Sequence, residues 1–573
     1  MVSDAQPAPG AAQVTPRSSA QPAALFTARE WLAVGAVILA VLVLTYLPYL
    51  FAYRSAPPDR QFMGVMVNIP DHFQYFSWMR ESQTQVLVPN QLTPEDSTPL
   101  LFNLLWWVLG RLEAVTGLSY DTLYQITRWL AGAFVLAATY FFIGVVFQNQ
   151  RKRWTAFLVS ALGAGLGWIW VIDKYLNDLP DLRYPFDVFT SEPNTFFNVL
   201  AFPHFAIAAG LIALIFGVVL LGQRAQNLRY AWLAAALALL LSLQHAYDMF
   251  IIYPVIGLYA LFIWVRDRRF PLYLFKLGVI VVLVSMWPAL QAFIITSVDP
   301  VWKGVLAQFG NAGAYTPPPL NLILLMGLAW LLAIWALDIR TAWRDRDDTH
   351  LFILAWFLAH FPLVYIPLDF QIHLLSGWQV VTAVLAVIGL HTRVIPLLRR
   401  VFKNAPQQRL VRWASAALVL VVLPANIYIF TWRFVDLRRY NYPFYAETDL
   451  IAAFEYLSAQ ARPDNVVLSS LMTGQYVPAL TGARSYLGHW AQTLDFFTKQ
   501  ANVETFFDPT ATDAERENIL REFGVDFVIF GSSERALHPG GSHDPAAVPF
   551  LEEAFSSGET IVYRVTLEDE RAQ

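Results

Sequence analysis

Long apolar runs separated by short charged segments set the pattern of this chain. The first, 31–53, is too long for a signal-peptide core and no small-residue cleavage site follows it, so it reads as a membrane helix. Further runs of roughly 20 residues, the length that crosses ~30 Å of hydrocarbon, lie near 121–147, 153–173, 198–222, 229–247, 249–265, 272–297, 318–338, 351–369, 375–395 and 411–432. The pattern predicts an α-helical polytopic membrane protein with about eleven transmembrane helices. A shorter apolar run at 100–110, soon interrupted by Arg111 and Glu113, reads as a helix lying on the membrane surface. Ahead of all of them, residues 1–28 are rich in Ala, Pro, Gln and Ser without apolar periodicity, which predicts a disordered tail.

After residue 433 the pattern changes. NVVLSS (465–470), VDFVIFG (525–531) and ETIVYRV (559–565) read as strands and ATDAERENILREFG (511–524) as an amphipathic helix. The expected organisation is a tail over 1–28, a membrane body over 29–433 with a long first loop at 54–120, and a C-terminal α/β domain over 434–573. That domain shows no Gly-rich phosphate loop and no Ser/His/Asp signature, so its chemistry is silent in the sequence.

Composition removes several classes. Of 573 residues 56% are hydrophobic and 14% charged, against about 25% charged in ordinary soluble domains, which rules out a soluble monomer. The absence of cysteine excludes disulfides, thiolate metal sites and a cysteine nucleophile. The net charge of -4 hides two unlike parts, since residues 444–573 hold 8 Lys/Arg against 20 Asp/Glu.

Charge also orients the chain. With 100–110 on the surface, one set of short loops collects 18 basic residues, whereas the opposite set holds Lys174, Arg183 and Lys303. The positive-inside rule then predicts a cytoplasmic N-terminus and an extracytoplasmic C-terminal domain in a multi-pass cell-membrane protein. The basic run at 393–412 belongs to this signal and to lipid headgroups rather than to nucleic acid. The small-residue segment GAGLG (163–167) predicts close helix packing.

Polar residues that are costly in a membrane gather at outer helix ends and outer loops. In PDHFQYFSWMRE (70–81) a proline and an acid open a helix with Phe73, Phe76 and Met79 on one side. Asp71 in its first turn either stabilises the helix N-terminus or, with a pKa raised at a desolvated interface, serves as a general base towards a hydroxyl. Arg128, inside a membrane helix, either holds a phosphate or snorkels to the interface.

His204 in FPHF, and His245 with Asp248 in LQHAYDMF, either bind a metal, a phosphate or each other, or act as cap and packing residues. Two ligands fall short of a metal site. Lys303 and the proline-stiffened AYTPPPL (314–320) form another outer loop, and PLDFQIHLLSG (367–377) sets Asp369, Gln371 and His373 between two helices. The shared side of these residues is the signal.

The combination resembles the GT-C superfamily of polytopic glycosyltransferases, particularly its bacterial protein or lipid mannosyl- and aminoarabinosyl-transferases. The likeness rests on one N-terminal helix, a long outer loop with Asp71 followed by Tyr75, a surface helix opening at Pro99 and Leu100, Arg128 near the outer end of the next helix, and an outer C-terminal α/β domain. The chain departs from the commoner pattern at His72, where many relatives carry a second acid, and at Thr98 before Pro99.

The resemblance implies a catalytic Asp71 and glycosyl transfer, with inversion, from a polyprenyl-phosphate sugar to an extracytoplasmic glycan, lipid or protein acceptor. Cations such as Arg128, Lys303 or protonated His373 would then stabilise the departing phosphate. No cofactor is certain from the sequence; a divalent cation stays open. Two other classes remain. A secondary transporter calls for a polar site near the bilayer midplane, for which His360 is the best residue, and a membrane scaffold would bind a partner through its outer domain.

Overall fold

Proline, glycine and capping asparagines cut the apolar pattern into helices whose ends converge on one cavity. A computed structural model of the chain describes residues 26–179, 187–308, 310 and 315–567. The tail expected at 1–28 and Arg183 fall largely or wholly outside them.

The helices in chain order are α1 (Ala28–Ser55), α2 (Ile69–Glu81), α3 (Leu104–Thr116), α4 (Tyr120–Val146), α5 (Gln150–Leu162), α6 (Gly167–Leu176), α7 (Thr195–Ala201), α8 (Pro203–Ala225), α9 (Leu228–Gln244) and α10 (Met249–Asp267). They continue with α11 (Leu272–Val298), α12 (Pro300–Ala307), α13 (Pro319–Trp335), α14 (Ile339–Arg344), α15 (Asp348–Leu363), α16 (Trp378–Gly389), α17 (Ile395–Val401), α18 (Gln407–Val421), α19 (Pro424–Leu437) and α20 (Thr448–Gln460).

All the expected apolar runs coincide with helix. Six helical segments among the described residues are long and apolar enough to cross a membrane, eight if each bent pair is one span. The runs at 229–247, 318–338 and 351–369 fall on the shorter α9, α13 and α15, so length does not establish eleven spans. The run at 100–110 becomes α3, capped by the Asn103 side chain and only 13 residues long, too short to span at 1.5 Å per residue.

Three helix breaks lock together inside the bundle. α5 and α6 bend by 41° across GAGLG, α18 and α19 bend by 41° ahead of Pro424, and α13 is interrupted at Gly327, where φ is 73°. Breaking a helix in an apolar setting orphans backbone groups that must find new partners. Here the breaks satisfy one another: the Ala164 N–H donates to Val422 O (2.9 Å) and the Leu166 N–H to Leu324 O (2.6 Å). The approach needs glycine, because a Cβ on Gly165 would lie 2.2 Å from Leu325 O. Buried Asp187 caps the new start of α6, accepting from the Gly167 N–H at 2.8 Å.

Towards the C-terminus a sheet of order β4-β3-β5-β7-β6 forms from β3 (Val466–Leu468), β4 (Arg484–Ser485), β5 (Val525–Phe530), β6 (Leu551–Ser557) and β7 (Thr560–Val565). β3, β4 and β5 are parallel, and β7 closes antiparallel on β5. The strands anticipated at 465–470, 525–531 and 559–565 are β3, β5 and β7.

This region is stitched to the first loop. β1 (Arg60–Phe62) pairs antiparallel with β2 (Tyr445–Glu447), and the Arg60 guanidinium meets Glu447 at 3.1 Å. Arg80 donates to Leu480 O and Thr481 O (3.2 Å each), and Asn90 Nδ2 donates to Gln492 O (2.9 Å). The apolar core accordingly runs from the membrane helices through Phe73 and Tyr476 into Val467, Phe527 and Ile529 of the sheet.

Candidate active site

A cavity of about 660 Å³ opens where α2, α3, α8, α9 and α11 meet the 489–492 segment of the C-terminal region. Its polar lining includes Asn68, Asp71, Tyr75, Glu192, His204, His245, His373 and His489. Aromatic faces make up much of the remainder: Tyr75 stacks on Trp106 (centroids 4.7 Å, 10°), Tyr247 on His373 (4.9 Å, 24°) and Trp490 on His489 (5.4 Å, 20°).

Asp71 reaches the cavity because α2 starts at Ile69, with Pro70 in its first turn, directly after Asn68, a residue in the left-handed conformation (φ 47°). Its carboxylate is held at both oxygens: His489 Nε2 donates to Oδ1 at 2.8 Å and Asn68 Nδ2 to Oδ2. The His489 tautomer follows from its other nitrogen. The Ala491 N–H donates to Nδ1 at 3.0 Å, so the proton sits on Nε2, facing Asp71. The 488–493 turn is fixed in its own right, since the N–H groups of Gly488 and His489 donate to Thr493 Oγ1, whose hydroxyl donates to Leu92 O of the first loop.

These bonds reverse the electrostatics expected for Asp71. Burial, the largest influence, raises a carboxyl pKa, but the side-chain hydrogen bond from His489, with that from Asn68, acts against it, and the carboxyl is held below the ordinary aspartate range. Asp71 is an ionised carboxylate, 27% exposed into the cavity. Two donors leave part of its roughly four acceptor positions free. Beside it, burial with Asp71 and Glu192 nearby pushes the Tyr75 phenol far up, so it stays neutral.

Two more histidine–carboxylate pairs ring the cavity. His245 Nδ1 donates to Asp248 Oδ2 at 2.7 Å, and the Tyr247 hydroxyl bonds its Nε2. His373 Nδ1 donates to Glu192 Oε1 at 2.6 Å. His204 differs, being 6% exposed with neither ring nitrogen partnered.

Of the residues singled out from sequence, the structure brings Asp71, His204, His245 and His373 to this cavity, with Asp248 behind His245. Arg128 is elsewhere. Fully buried, it spans Thr45 Oγ1 (3.2 Å), Gln125 Oε1 (3.0 Å) and Val199 O (3.2 Å), with its guanidinium 4.5 Å over the Tyr49 ring. It neither lines the cavity nor reaches an interface, because the C-terminal carbonyls of α7 draw it inward. Lys303 is exposed on α12, outside the lining. Gln371 braces loops, accepting from the Thr316 N–H and donating to Ile366 O.

His360 is saturated: Nδ1 donates to Leu374 O, the Trp356 indole donates to Nε2, and the ring stacks on Trp378 (4.9 Å, 15°). Sequence reasoning missed Glu192, Tyr247 and His489. Only His489 in LGHW carried a signal, an aromatic pair between strands in a region otherwise without chemistry. Among the described residues no group of three His, Cys, Asp or Glu is placed to hold a metal ion. The carboxylates nearest the cavity are histidine-paired instead of arranged as a cation's ligands.

No protein-family model and no curated protein sequence matches the chain. Solved structures do. The archaeal oligosaccharyltransferase AglB from Archaeoglobus fulgidus, in complex with an inhibitory peptide and a dolichol-phosphate, superposes with a TM-score of 0.53 at 12% identity, covering 86% of this chain and 69% of that one. The apo form of the A. fulgidus enzyme gives 0.52 at 14% identity, covering 93% and 75%. ArnT from Cupriavidus metallidurans, bound to undecaprenyl phosphate, gives 0.50 at 14% identity, covering 95% and 99%. Both proteins are membrane glycosyltransferases of the GT-C superfamily, and the chain shares their fold.

Proposed function

We propose that this multi-pass membrane protein is a glycosyltransferase that moves a sugar from a polyprenyl-phosphate-linked donor to a hydroxyl acceptor, with Asp71 as general base. The observation that carries the reading is the ionised, cavity-facing carboxylate of Asp71, held at one oxygen by His489 and at the other by Asn68. Support comes from the shared fold and from the solved neighbours, one bound to dolichol-phosphate and one to undecaprenyl phosphate.

In the reaction the acceptor oxygen attacks the anomeric carbon from the face opposite the phosphate. The carbon–oxygen bond to the phosphate breaks with inversion, the bonding pair leaves with the lipid phosphate, and the hydroxyl proton passes to Asp71. A carboxylate with a lowered pKa is a weak base, so proton transfer comes late, once the attacking oxygen has bonded to carbon and its proton has become acidic. His489 is a positioning residue: its tautomer makes it a donor that aims the carboxylate. Tyr75, Trp106, Tyr247 and Trp490 offer flat faces for the sugar ring, and His204, His245 and His373 of the same lining are available for the leaving phosphate.

The charge pattern supports a cytoplasmic N-terminus, the cavity at the extracytoplasmic end, and an organisation of tail 1–28, membrane body 29–433 and outer domain 434–573. Lipid anchorage suits the chemistry, since donor and leaving group both stay in the bilayer. An Asp71→Asn variant retains the carbonyl acceptor but not the base and should lose transfer by about 10²- to 10⁴-fold in vesicles supplied with polyprenyl-phosphate sugars. Wild-type rates from a folded Asp71→Asn protein would sink the reading. The saturated hydrogen bonding of His360 removes the residue that best supported a transporter.

A further inference from the structure

The α7–α8 junction is electrostatically one-sided. The carbonyls ending α7 are capped: Arg128 donates to Val199 O, the Tyr49 hydroxyl to Leu200 O (3.1 Å) and the Tyr124 hydroxyl to Ala201 O (2.6 Å). The opposite pole, the start of the 23-residue α8, presents two amides without an intrahelical partner, those of His204 and Phe205, since Pro203 has no N–H and the Phe202 N–H donates to Asn198 O (2.9 Å); Phe202, His204 and Phe205 line the cavity. Aligned peptide dipoles add roughly half a positive charge at such an end.

His204 points to what this end receives. It is 6% exposed, and both Nδ1 and Nε2 lack partners, although leaving a buried polar group unsatisfied is destabilising. Rings enclose it: Tyr75 at 5.0 Å, Trp106 at 5.9 Å, His245 at 6.1 Å and His72 at 6.3 Å between centroids. His245, His373 and His489 each already spend a nitrogen on a carboxylate. No lysine or arginine appears among the described lining residues, whereas Asp71 and Glu192 do.

We propose that His204 and the first-turn amides of α8 form the phosphate-binding site of this cavity, and that the site accepts a polyprenyl monophosphate in preference to a diphosphate. The proposal rests on the transferase reading and names its donor class. A helix end and one imidazole suit a single phosphate. The extra charge of a diphosphate would have to sit beside two carboxylates, with no lysine or arginine among the described lining residues to offset it.

The test uses the full chain in lipid nanodiscs, with undecaprenyl phosphate and undecaprenyl diphosphate as probes, read by native mass spectrometry and by quenching of the cavity tryptophans. Wild type should bind the monophosphate at least about 10-fold more tightly than the diphosphate, a difference of about 1.4 kcal/mol. His204→Phe should lose about 10-fold or more in monophosphate affinity, and His204→Gln, which keeps a donor, should recover most of it. Equal or tighter diphosphate binding, or unchanged binding by a folded His204→Phe protein, overturns the proposal. If His204→Phe does not fold, the wild-type preference and His204→Gln decide. Binding is read without catalysis: His204-dependent monophosphate binding without sugar transfer keeps this site and defeats the transferase reading, whereas full transfer by His204→Phe defeats only this site.

Discussion

His489 Nε2 donates to Asp71 Oδ1 at 2.8 Å across a separation of 418 residues, joining the C-terminal region to the first loop inside the cavity. The bond makes the electrostatics of Asp71 depend on a distant turn held by Thr493. Since the carboxyl is lowered only because donors outweigh burial, deleting the donor lets burial act. In wild type the acid limb of kcat/KM owed to Asp71 should lie below about pH 3.9, the ordinary aspartate value, and in His489→Phe it should move above it. Below each limb Asp71 is protonated and the base is lost. An acid limb that stays put in the variant would show that His489 does not tune Asp71.

Arg128 should behave as a structural residue. Arg128→Met strips donors from Thr45, Gln125 and Val199 O and removes the contact with Tyr49. A loss of about 2–4 kcal/mol is expected, read as a lower Tm in detergent with lipid-phosphate affinity retained in the folded fraction. A drop in affinity at unchanged Tm would instead return Arg128 to the substrate.

The interlocked helix breaks should be intolerant of a single methyl group. Gly165→Ala sets a Cβ 2.2 Å from Leu325 O and 2.3 Å from Leu324 O, both backbone atoms that cannot swing away. A loss of about 3 kcal/mol or more is expected, whereas Gly35→Ala, with nothing within 4 Å, should be neutral. Equal melting temperatures for the two variants would contradict the junction.

Asp187 should make stability fall with pH. Burial pushes its carboxyl up to about 7, against the backbone N–H groups that act to lower it, while the unfolded value is about 3.9. Between these values the folded state holds a proton that the unfolded state has released, so stability declines from about pH 4 to about pH 7 and is flat above. Asp187→Asn keeps an acceptor for the Gly167 N–H but does not ionise. Its Tm should match wild type near pH 4 and exceed it at pH 8, and a constant difference across that range would refute the assignment.

Much of the fold was legible because its causes are local. Apolar run length marks the long helices, short apolar runs marked β3, β5 and β7, and the brevity of the 100–110 run, broken by Arg111 and Glu113, marked off α3 as too short to span. Asp71 was visible for the same reason: a proline and an acid opening a helix are read over four residues. Lys303 and Gln371 show the limit, since closeness in the chain to the other candidates did not bring either side chain to the cavity.

The sequence by itself determined that this is a polytopic membrane protein with an acidic C-terminal α/β part and an acidic residue opening a first-loop helix. Those properties follow from composition and period, which each segment carries alone. Tertiary structure decided which groups meet: that His489 donates to Asp71, that Arg128 turns inward to cap α7, and that His204 is left without a partner. Each depends on orientation and on neighbours hundreds of residues away, where burial and a facing donor can reverse the pKa shift that local sequence suggests.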